Sequence, residues 1–149
     1  IFNAGGLYGG TQPVAEILRG LEMGRNGLYP FEYLDQDGET PLPGGPFYFL
    51  NVCEMKTAVD VERSGAALQR TGHIRRPSVK AVLYSPGLAN GDQVVVASSA
   101  LHGPDIWMDT QMQQEVFFSD RLVRALRSEK LVKRIEFIQC PVLPASALH

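Results

Sequence analysis

The spacing of apolar residues along the chain predicts one helix near its start and a second near its end. In the first segment four apolar residues recur at intervals of three and four: Val14, Ile17, Leu18 and Leu21. This spacing places them on one face of a helix. Thr11 can cap this helix, and Pro13 is tolerated in its first turn. In the second segment Ser119 is the expected N-cap, and the apolar face consists of Leu122, Ala125 and Leu126.

Runs of apolar and aromatic residues between turn signals predict the strands. The segments predicted in this way are 28–34, 47–53, 79–84, 93–97, 105–108, 115–118 and 133–140. The segment 57–64 is ambiguous, because its valines alternate with acidic residues. The stretch 65–77 has the composition of a connecting loop, and the glycines of residues 1–10 predict an irregular, mobile lead-in.

A weak internal repeat relates the two predicted helices. In each copy a helix is followed by a loop and by a strand in which a glutamate, Glu32 or Glu136, is flanked by apolar residues. Two helix–strand units packed on a mainly antiparallel or mixed sheet predict a single α+β domain. We expect this domain to span 11–142, with the flexible Gly-rich lead-in at 1–10 and a tail at 143–149. The repeat also predicts that Leu18 and Leu126 are both buried.

Charge balance and cysteine content restrict the classes of function. The 149 residues include 14 Lys and Arg against 16 Asp and Glu, a formal net charge of −2. Nucleic-acid-binding proteins usually carry a basic excess, so we expect no direct nucleic-acid partner. No apolar run approaches the roughly 20 residues that span a bilayer, so we expect no membrane partner.

Cys53 and Cys140 show no disulfide-framework spacing, which is typical of a reducing compartment such as the cytoplasm. Cys53 lies in an apolar run and is expected to be buried.

Candidate catalytic chemistry is confined to one short segment. His102 and Asp105 are close in sequence, and a histidine oriented by an aspartate can act as a general base. The intervening Gly103 and Pro104 favour the alternative, a structural turn. The sequence contains no nucleophile elbow, no histidine pair at metal-binding spacing and no phosphate-binding loop. We therefore predict no enzymatic activity, no cofactor and no metal.

Two charged groups are candidate contacts with a partner. The first is an acidic loop within residues 31–40, with the carboxylates Glu32, Asp35, Asp37 and Glu39. It is either a solvated hairpin tip or a surface that attracts a positively charged partner. The second group is a basic row on the second predicted helix, formed by Arg121, Arg124 and Arg127. It is either a solvent-exposed face or a set of phosphate contacts.

Three segments of the chain resemble a bacterial immunity-protein family. The run Phe47-Tyr-Phe-Leu-Asn-Val, with Asp60 and Ser64 downstream, resembles the family pattern Y-x-L-N-V…D-x-x-x-S. The run Gly103-Pro-Asp-Ile-Trp resembles G-H-D-I-F, with Pro104 in place of the usual histidine. The run Val116-Phe-Phe-Ser-Asp-Arg-Leu-Val-Arg-Ala-Leu resembles I-F-V-S-E/D-R-L-K-E-A-L. The order of the segments agrees from about Thr11 to Val142, and the family is immunity protein family eleven of polymorphic toxin systems.

This resemblance implies a small cytoplasmic protein that binds a cognate toxin, often a nuclease, and neutralises it by stoichiometric inhibition. Two alternatives remain open, a hydrolase-like enzyme that uses His102 and Asp105, and an adaptor component of a secretion system. Aromatic and arginine residues at expected loop edges are candidate anchors for the toxin. These anchors are Tyr29, Tyr33, Trp107 and Arg121, and with the four acidic residues of the loop they form the predicted partner-binding set.

Overall fold

The computed structural model describes residues 2–4, 7–76, 79–86, 93–112, 115–132 and 135–144. In chain order the elements are β1 (Phe2–Ala4), β2 (Leu7–Thr11), α1 (Gln12–Arg19), β3 (Gly27–Phe31), β4 (Phe47–Asn51), β5 (Met55–Lys56), α2 (Val61–Ser64), β6 (Leu68–Arg76), β7 (Val79–Pro86), β8 (Val96–Ala97), β9 (Ile106–Asp109), β10 (Val116–Phe118), α3 (Asp120–Ser128) and β11 (Val142–Leu143). Short 3-10 turns follow α2 and β8, at Gly65–Ala67 and Ser98–Leu101. Helices and small sheets are mixed along the chain, which confirms the predicted α+β class.

The contacts within the chain group into two compact units. The first unit consists of Ile1–Glu54, Pro104–Ile106 and Phe118–Phe137, and the second of Met55–Gly103, Trp107–Phe117 and Ile138–His149. The limits predicted for a domain at 11–142 and for a tail at 143–149 stay predictions, and residues 145–149 lie outside the described part of the chain. None of the helices described above is both long and apolar enough to cross a membrane.

The first unit contains a four-stranded antiparallel sheet in the order β1-β2-β4-β3. Helices α1 and α3 pack against each other, and α1 also packs against β2 and β4. Seven buried apolar residues form the core of this unit: Val14, Ala15, Leu18, Leu50, Ile106, Leu122 and Leu126. The expectation of a buried Cys53 is wrong, because β4 ends at Asn51 and the thiol is exposed.

Within the glycine-rich start of the chain, the described residues 2–4 and 7–11 form strands in place of the irregular lead-in that the glycines predicted. Strand β2 pairs with β4, with Tyr8 opposite Leu50 and Thr11 opposite Phe47. Gly10 allows the chain to turn closely into α1, since a Cβ atom there would lie 2.6 Å from Cγ1 of Val14. Cross-strand pairing thus outweighs the low strand propensity of glycine.

Both predicted helices are present, and they differ in how they begin. Thr11 occupies the N-cap position of α1 but its side chain makes no capping hydrogen bond. The Oγ atom of Ser119 accepts a hydrogen bond from the backbone N–H of Leu122 at 3.1 Å, as expected for the N-cap of α3. Leu18 is 2% exposed and Leu126 is fully buried, so the burial predicted from the repeat is confirmed.

The strand half of the predicted repeat is present only in the first copy. β3, which begins one residue earlier at Gly27, and the bridge at Leu34 correspond to the predicted strand 28–34, whereas residues 135–141 form no strand. Residues 133 and 134 lie outside the described residues. Phe137 packs its ring edge against Phe118, with the centroids 5.5 Å apart, and side-chain packing takes the place of strand pairing at this point.

The second unit is built from three small sheets. Their strand orders are β10-β9-β5, β11-β8 and β6-β7. The prediction of a loop over 65–77 is wrong, since β6 pairs antiparallel with β7 and carries a register shift between Arg70 and Gly72. A strand partner supplied by β7 therefore overrides the loop-like composition of β6. The core of the unit is formed by Ala58, Val59, Ala67, Val94, Val96, Ala100, Trp107 and Met112.

Candidate functional site

The acidic loop of the first unit is an ordered hairpin turn that extends β3. Leu34 and Pro41 form an isolated antiparallel bridge. The backbone N–H of Asp35 donates to the carbonyl of Thr40 at 2.7 Å, and the N–H of Leu42 donates to the carbonyl of Tyr33 at 2.7 Å. These contacts fix the path of the backbone on both sides of the four carboxylates.

Asp37 holds the tip of this turn together. Its Oδ1 atom accepts hydrogen bonds from the backbone N–H groups of Glu39 and Thr40, both at 2.9 Å, and its Oδ2 atom accepts one from Oγ1 of Thr40 at 2.5 Å. The side-chain bond from Thr40, followed by the two backbone bonds, lowers the pKa of Asp37 to about 2. Gly38 has a φ angle of +73°, a backbone conformation that favours glycine. The carboxylate of Asp37 therefore orders the loop.

The acidic charge of the loop is not neutralised by nearby residues. Residues 27–53 contain four carboxylates and no Lys or Arg. Glu32, Asp35, Asp37 and Glu39 are all exposed, and none of them forms an ion pair with a residue in the described ranges. This surface therefore presents a local negative charge that is not apparent from the nearly neutral net charge of the chain.

An apolar groove of about 450 Å³ adjoins the acidic loop in the same unit. Its lining consists of Pro30, Phe31, Glu32, Tyr33, Pro41, Leu42, Gly45, Pro46 and Phe47. The ring of Tyr33 meets Phe31 and Phe47 edge-on, with centroid distances of 4.8 and 5.2 Å. Tyr29, on β3, is 55% exposed. The structure thus brings Tyr33 and Glu32 from the predicted partner-binding set together in one groove.

Arg121 and Asp105 form a bidentate ion pair in the first unit. Nε of Arg121 donates to Oδ1 of Asp105 at 2.8 Å, and Nη2 donates to Oδ2 at 2.6 Å. Oδ1 also accepts a hydrogen bond from Oγ of Ser119, and Oδ2 accepts one from the backbone N–H of Glu22 at 2.8 Å. The Asp105 side chain is 2% exposed and the Arg121 side chain is 56% exposed. Four donors therefore surround one buried carboxylate.

The charge state of Asp105 follows from these contacts. Burial alone raises the pKa of a carboxyl group, but the hydrogen bonds from Arg121, Ser119 and Glu22 outweigh it and hold the pKa of Asp105 below its usual range. The same pair raises the pKa of Arg121. Both oxygens of Asp105 are already shared by two donors each, so this carboxylate is not free to orient a histidine. His102 is exposed, and its backbone carbonyl accepts a hydrogen bond from Nζ of Lys56 at 2.8 Å.

The expected loop-edge position of Trp107 is wrong. Trp107 lies in β9, is 5% exposed and belongs to the core of the second unit. Its ring stacks on Phe117 with the centroids 5.7 Å apart, and Nζ of Lys56 lies 3.9 Å from the ring centroid. Packing of β9 within the core, and not a position at a loop edge, determines where this side chain lies.

Comparison with protein-family models gives a match over residues 11–141 to an immunity protein family (Imm11). The chain belongs to the Imm11 immunity protein family. Membership is consistent with toxin neutralisation and implies a toxin as the partner in general terms. The chain matches no curated protein and no solved structure.

In this Imm11 chain, two of the segments that carry the family resemblance are joined through Asp105. Asp105 lies in the run 103–107, and Ser119 and Arg121 lie in the run 116–126. In the second unit, Asp60 and Ser64 also have structural roles. The carboxylate of Asp60 accepts a hydrogen bond from the backbone N–H of Arg63 at 2.9 Å, and Oγ of Ser64 accepts one from the N–H of Val95 at 2.9 Å. The side chains of Asp60, Ser64, Asp105, Ser119 and Arg121 therefore stabilise the fold of the Imm11 chain.

Sequence reasoning missed two buried polar residues of the Imm11 chain. In the first unit Asn26 donates to the carbonyl of Ile106 at 2.7 Å and accepts from the backbone N–H of Cys53 at 2.8 Å. In the second unit, Oδ2 of Asp109 accepts from the N–H groups of Ala58 and Val59 at 2.7 and 2.9 Å. All these partners are distant in sequence, so no local pattern identifies them. Among the described residues, no group of three or more His, Cys, Asp or Glu side chains could hold a metal ion.

Sequence reasoning also missed the groove. The run 41–46, with three prolines and two glycines, indicates by itself only a break in regular structure. A usable signal was present, because four prolines and four aromatic residues flank the acidic loop within residues 30–48 of the Imm11 chain: Pro30, Pro41, Pro43, Pro46, Phe31, Tyr33, Phe47 and Tyr48. Prolines restrict the backbone and aromatic rings supply apolar surface, so this composition is compatible with a rigid apolar recess.

Proposed function

We propose that this chain neutralises one cognate toxin by binding it directly as a stoichiometric inhibitor, and that the toxin is a nuclease. The observation that carries the proposal is the match of residues 11–141 to an immunity protein family. A protein with this role acts in the compartment where the toxin acts, and we place it in the cytoplasm of a bacterium. The toxin comes from a polymorphic toxin system on this proposal.

The charge distribution of the first unit supports a nuclease as the partner. A nuclease binds a polyanion, so its substrate cleft carries positive charge. The four carboxylates of the acidic loop are exposed and form no ion pair within the described ranges. A surface of this kind accelerates association with a positive cleft by electrostatic steering.

Inhibition by binding, and not by catalysis, is supported by the contacts of Asp105. The proposed catalytic pair requires Asp105 to orient His102, but the Asp105 carboxylate is buried and accepts four hydrogen bonds from Arg121, Ser119 and Glu22. Asp105 therefore acts as a structural residue. We propose no reaction for this chain and no direct role for nucleic acid or membrane as a partner.

The surface proposed to contact the toxin is narrower than the set predicted from sequence. It retains Glu32, Asp35, Glu39, Tyr29 and Tyr33. Asp37 contributes by ordering the loop, whereas Arg121 is engaged with Asp105 and Trp107 is buried. Stable protein–protein interfaces bury about 1,200–2,000 Å² in total, so the groove and the loop would form only part of the contact.

On this proposal the toxin gene neighbours the gene for this chain, and the test titrates the purified toxin domain with the purified chain. A stoichiometric inhibitor abolishes toxin activity with a break at one chain per toxin, and the pair elutes as a single complex whose mass is measured by light scattering. An enzyme that modifies the toxin would protect at far lower ratios, and that result would overturn the proposal. The variant Leu126→Asp, which places a charge in the core of the first unit, is the matched control and is expected to give no protection.

A further inference from the structure

The groove of the first unit has a floor of rings and prolines that is only partly covered. Tyr33 lies between Phe31 and Phe47, and all three rings line the groove. Leu42 also lines it and is 41% exposed, while the neighbouring Leu34 is 45% exposed. A cluster of apolar residues exposed on a soluble protein is typical of a contact site for another molecule.

The rim of the groove is acidic on one side. Glu32 is a lining residue, and Asp35 and Glu39 lie in the adjoining turn. None of these three carboxylates forms an ion pair with a residue that the structure describes. The groove thus combines an apolar floor with an electrostatic preference for positive charge.

The walls of the groove are held in position before any partner binds. The bridge between Leu34 and Pro41 and the hydrogen bonds of Asp37 order the turn on one side. On the other side Phe47 begins β4 and pairs with Phe31 of β3. A preformed site loses little conformational entropy on binding.

We propose that this groove binds a short extended protein segment that carries one Lys or Arg between apolar residues, and that the toxin supplies this segment. The inference rests on the proposed function for the identity of the partner. The aliphatic stem of a long basic side chain packs on the rings while its charged end meets Glu32. The faces of aromatic rings also attract cations, and the attraction is strongest when the cation is desolvated.

The edge of the sheet favours this mode of recognition over addition of a strand. Among the strands that the structure describes, β3 pairs with β4 alone and is therefore the edge strand of its sheet. Pro30 lies in β3 and has no N–H to donate to an added strand. A partner segment would therefore be recognised through its side chains in the groove.

The first test does not require the toxin. The full chain, labelled with nitrogen-15, is titrated with three blocked pentapeptides, Pro-Leu-Arg-Leu-Pro and its counterparts with Gln or Glu at the centre. We expect saturable shifts of the amides of Phe31, Tyr33, Leu42 and Phe47 with the Arg peptide, at a Kd on the order of 1 mM. The Gln peptide should bind about fivefold more weakly, and the Glu peptide more weakly still, because charge complementarity sets the order.

Two variants decide whether Glu32 sets this preference. In Glu32→Gln the Arg and Gln peptides should bind within about twofold of each other, while Glu62→Gln, an exposed glutamate of α2, should leave the fivefold preference unchanged. Equal affinity for all three peptides in the wild-type chain, shifts outside the groove, or no saturable shift would each overturn the proposal. A wild-type dimer that Glu32→Lys dissociates would also overturn it, since the occupant would then be a second copy of the chain.

The second test uses the toxin and separates this inference from the proposed function. Glu32→Lys and Leu42→Ser should each weaken toxin binding about tenfold or more, and Glu62→Lys should change it less than about twofold. If the toxin binds all variants equally, the groove proposal fails and the proposed function stands. If the Arg peptide binds as expected and the toxin does not bind at all, the proposed function fails and the groove remains a site for a basic segment.

Discussion

At the scale of single residues, the same carboxyl group has different roles in different surroundings. Asp105 is buried and accepts hydrogen bonds from Arg121, Ser119 and a backbone N–H. Asp120, on α3 in the same unit, forms an exposed pair with Arg124 at 2.9 Å. Removal of a buried carboxylate leaves its hydrogen-bond donors unsatisfied. When an exposed carboxylate is removed, water can bind to the donors in its place.

Asp105→Ala should destabilise the chain far more than Asp120→Ala. Loss of charged hydrogen bonds in a buried site costs on the order of 3 kcal/mol, because the backbone N–H of Glu22 and the Oγ of Ser119 lose their acceptor. Removal of the exposed pair costs about 0–1 kcal/mol. Urea denaturation of both variants measures the difference, and equal free energies of unfolding would contradict the role assigned to Asp105.

His102→Ala should leave both folding and toxin neutralisation unchanged. The imidazole is exposed, and the contact with Lys56 is made by the backbone carbonyl, which the substitution retains. His102 is therefore a cleaner test of catalysis than Asp105, whose loss disturbs the fold. A folded His102→Ala chain that still binds the toxin but no longer protects would revive the hydrolase-like hypothesis.

At the scale of elements, α1 and α3 stabilise the first unit through their apolar faces. The helices pack against each other, with Leu18 and Leu126 buried. Truncation of either leucine to alanine should lower the free energy of unfolding by about 2–5 kcal/mol, as for buried leucines in general. Leu34→Ala, at a residue 45% exposed in the same unit, is the control and should cost much less. Thermal or chemical denaturation that shows equal losses would contradict this assignment.

The acidic turn should lose its order as the pH falls. The pKa of Asp37 is lowered to about 2 in the folded chain, below the ordinary value of 3.8. A lowered pKa means that the ionised group stabilises the fold above its ordinary pKa and loses this effect as the pH falls towards about 2. The amide shift of Thr40 should therefore titrate between pH 4 and 2.

Two single substitutions test the origin of this titration. Asp37→Asn should abolish it, because the amide cannot ionise. Asp35→Asn removes the same charge from the turn but keeps the hydrogen bonds between Asp37 and Thr40, so the titration of Thr40 should persist. Identical titration curves for the wild-type chain and for Asp37→Asn would show that another group controls the turn.

At the scale of the whole molecule, the distribution of charge matters more than its sum. The net charge of −2 conceals a stretch, 27–53, in which four carboxylates occur without any basic residue. Exposed charges further apart than about 10 Å are largely screened at 0.1 M salt, so a partner responds to the local concentration of charge.

Neutralising Glu32, Asp35 and Glu39 to Gln, Asn and Gln should slow association with the toxin and flatten its salt dependence. Asp37 is retained, because it orders the loop. Stability should hardly change, since exposed charges contribute little. The control replaces three other exposed glutamates by glutamine, Glu62, Glu129 and Glu136, and changes the total charge equally. Stopped-flow rates at low and high salt measure the effect, and equal rates for the two triple variants would exclude steering by this loop.

Local patterns in the sequence were sufficient to predict the helices at 12–19 and 120–128 and several strands of this protein. The stripe through Leu18, the cap at Ser119 and the aromatic run of β4 depend on neighbouring residues, so they can be inferred without knowledge of the fold. The family resemblance and the α+β class also followed from such segments. The acidic loop was visible as a concentration of charge within ten residues.

Contacts between residues distant in sequence decided the rest. Residues 68–76 have a loop-like composition but form β6, because β7 offers a partner strand. The glycines of β2 lie in a strand because β2 pairs with β4. Arg121 is engaged by Asp105, and Trp107 is buried against Phe117. A sequence pattern records how each residue prefers to fold locally, whereas burial and pairing depend on which other segment arrives beside it. Those partners are selected only when the whole chain folds, and for this reason the groove and the carboxylate network belong to the tertiary structure.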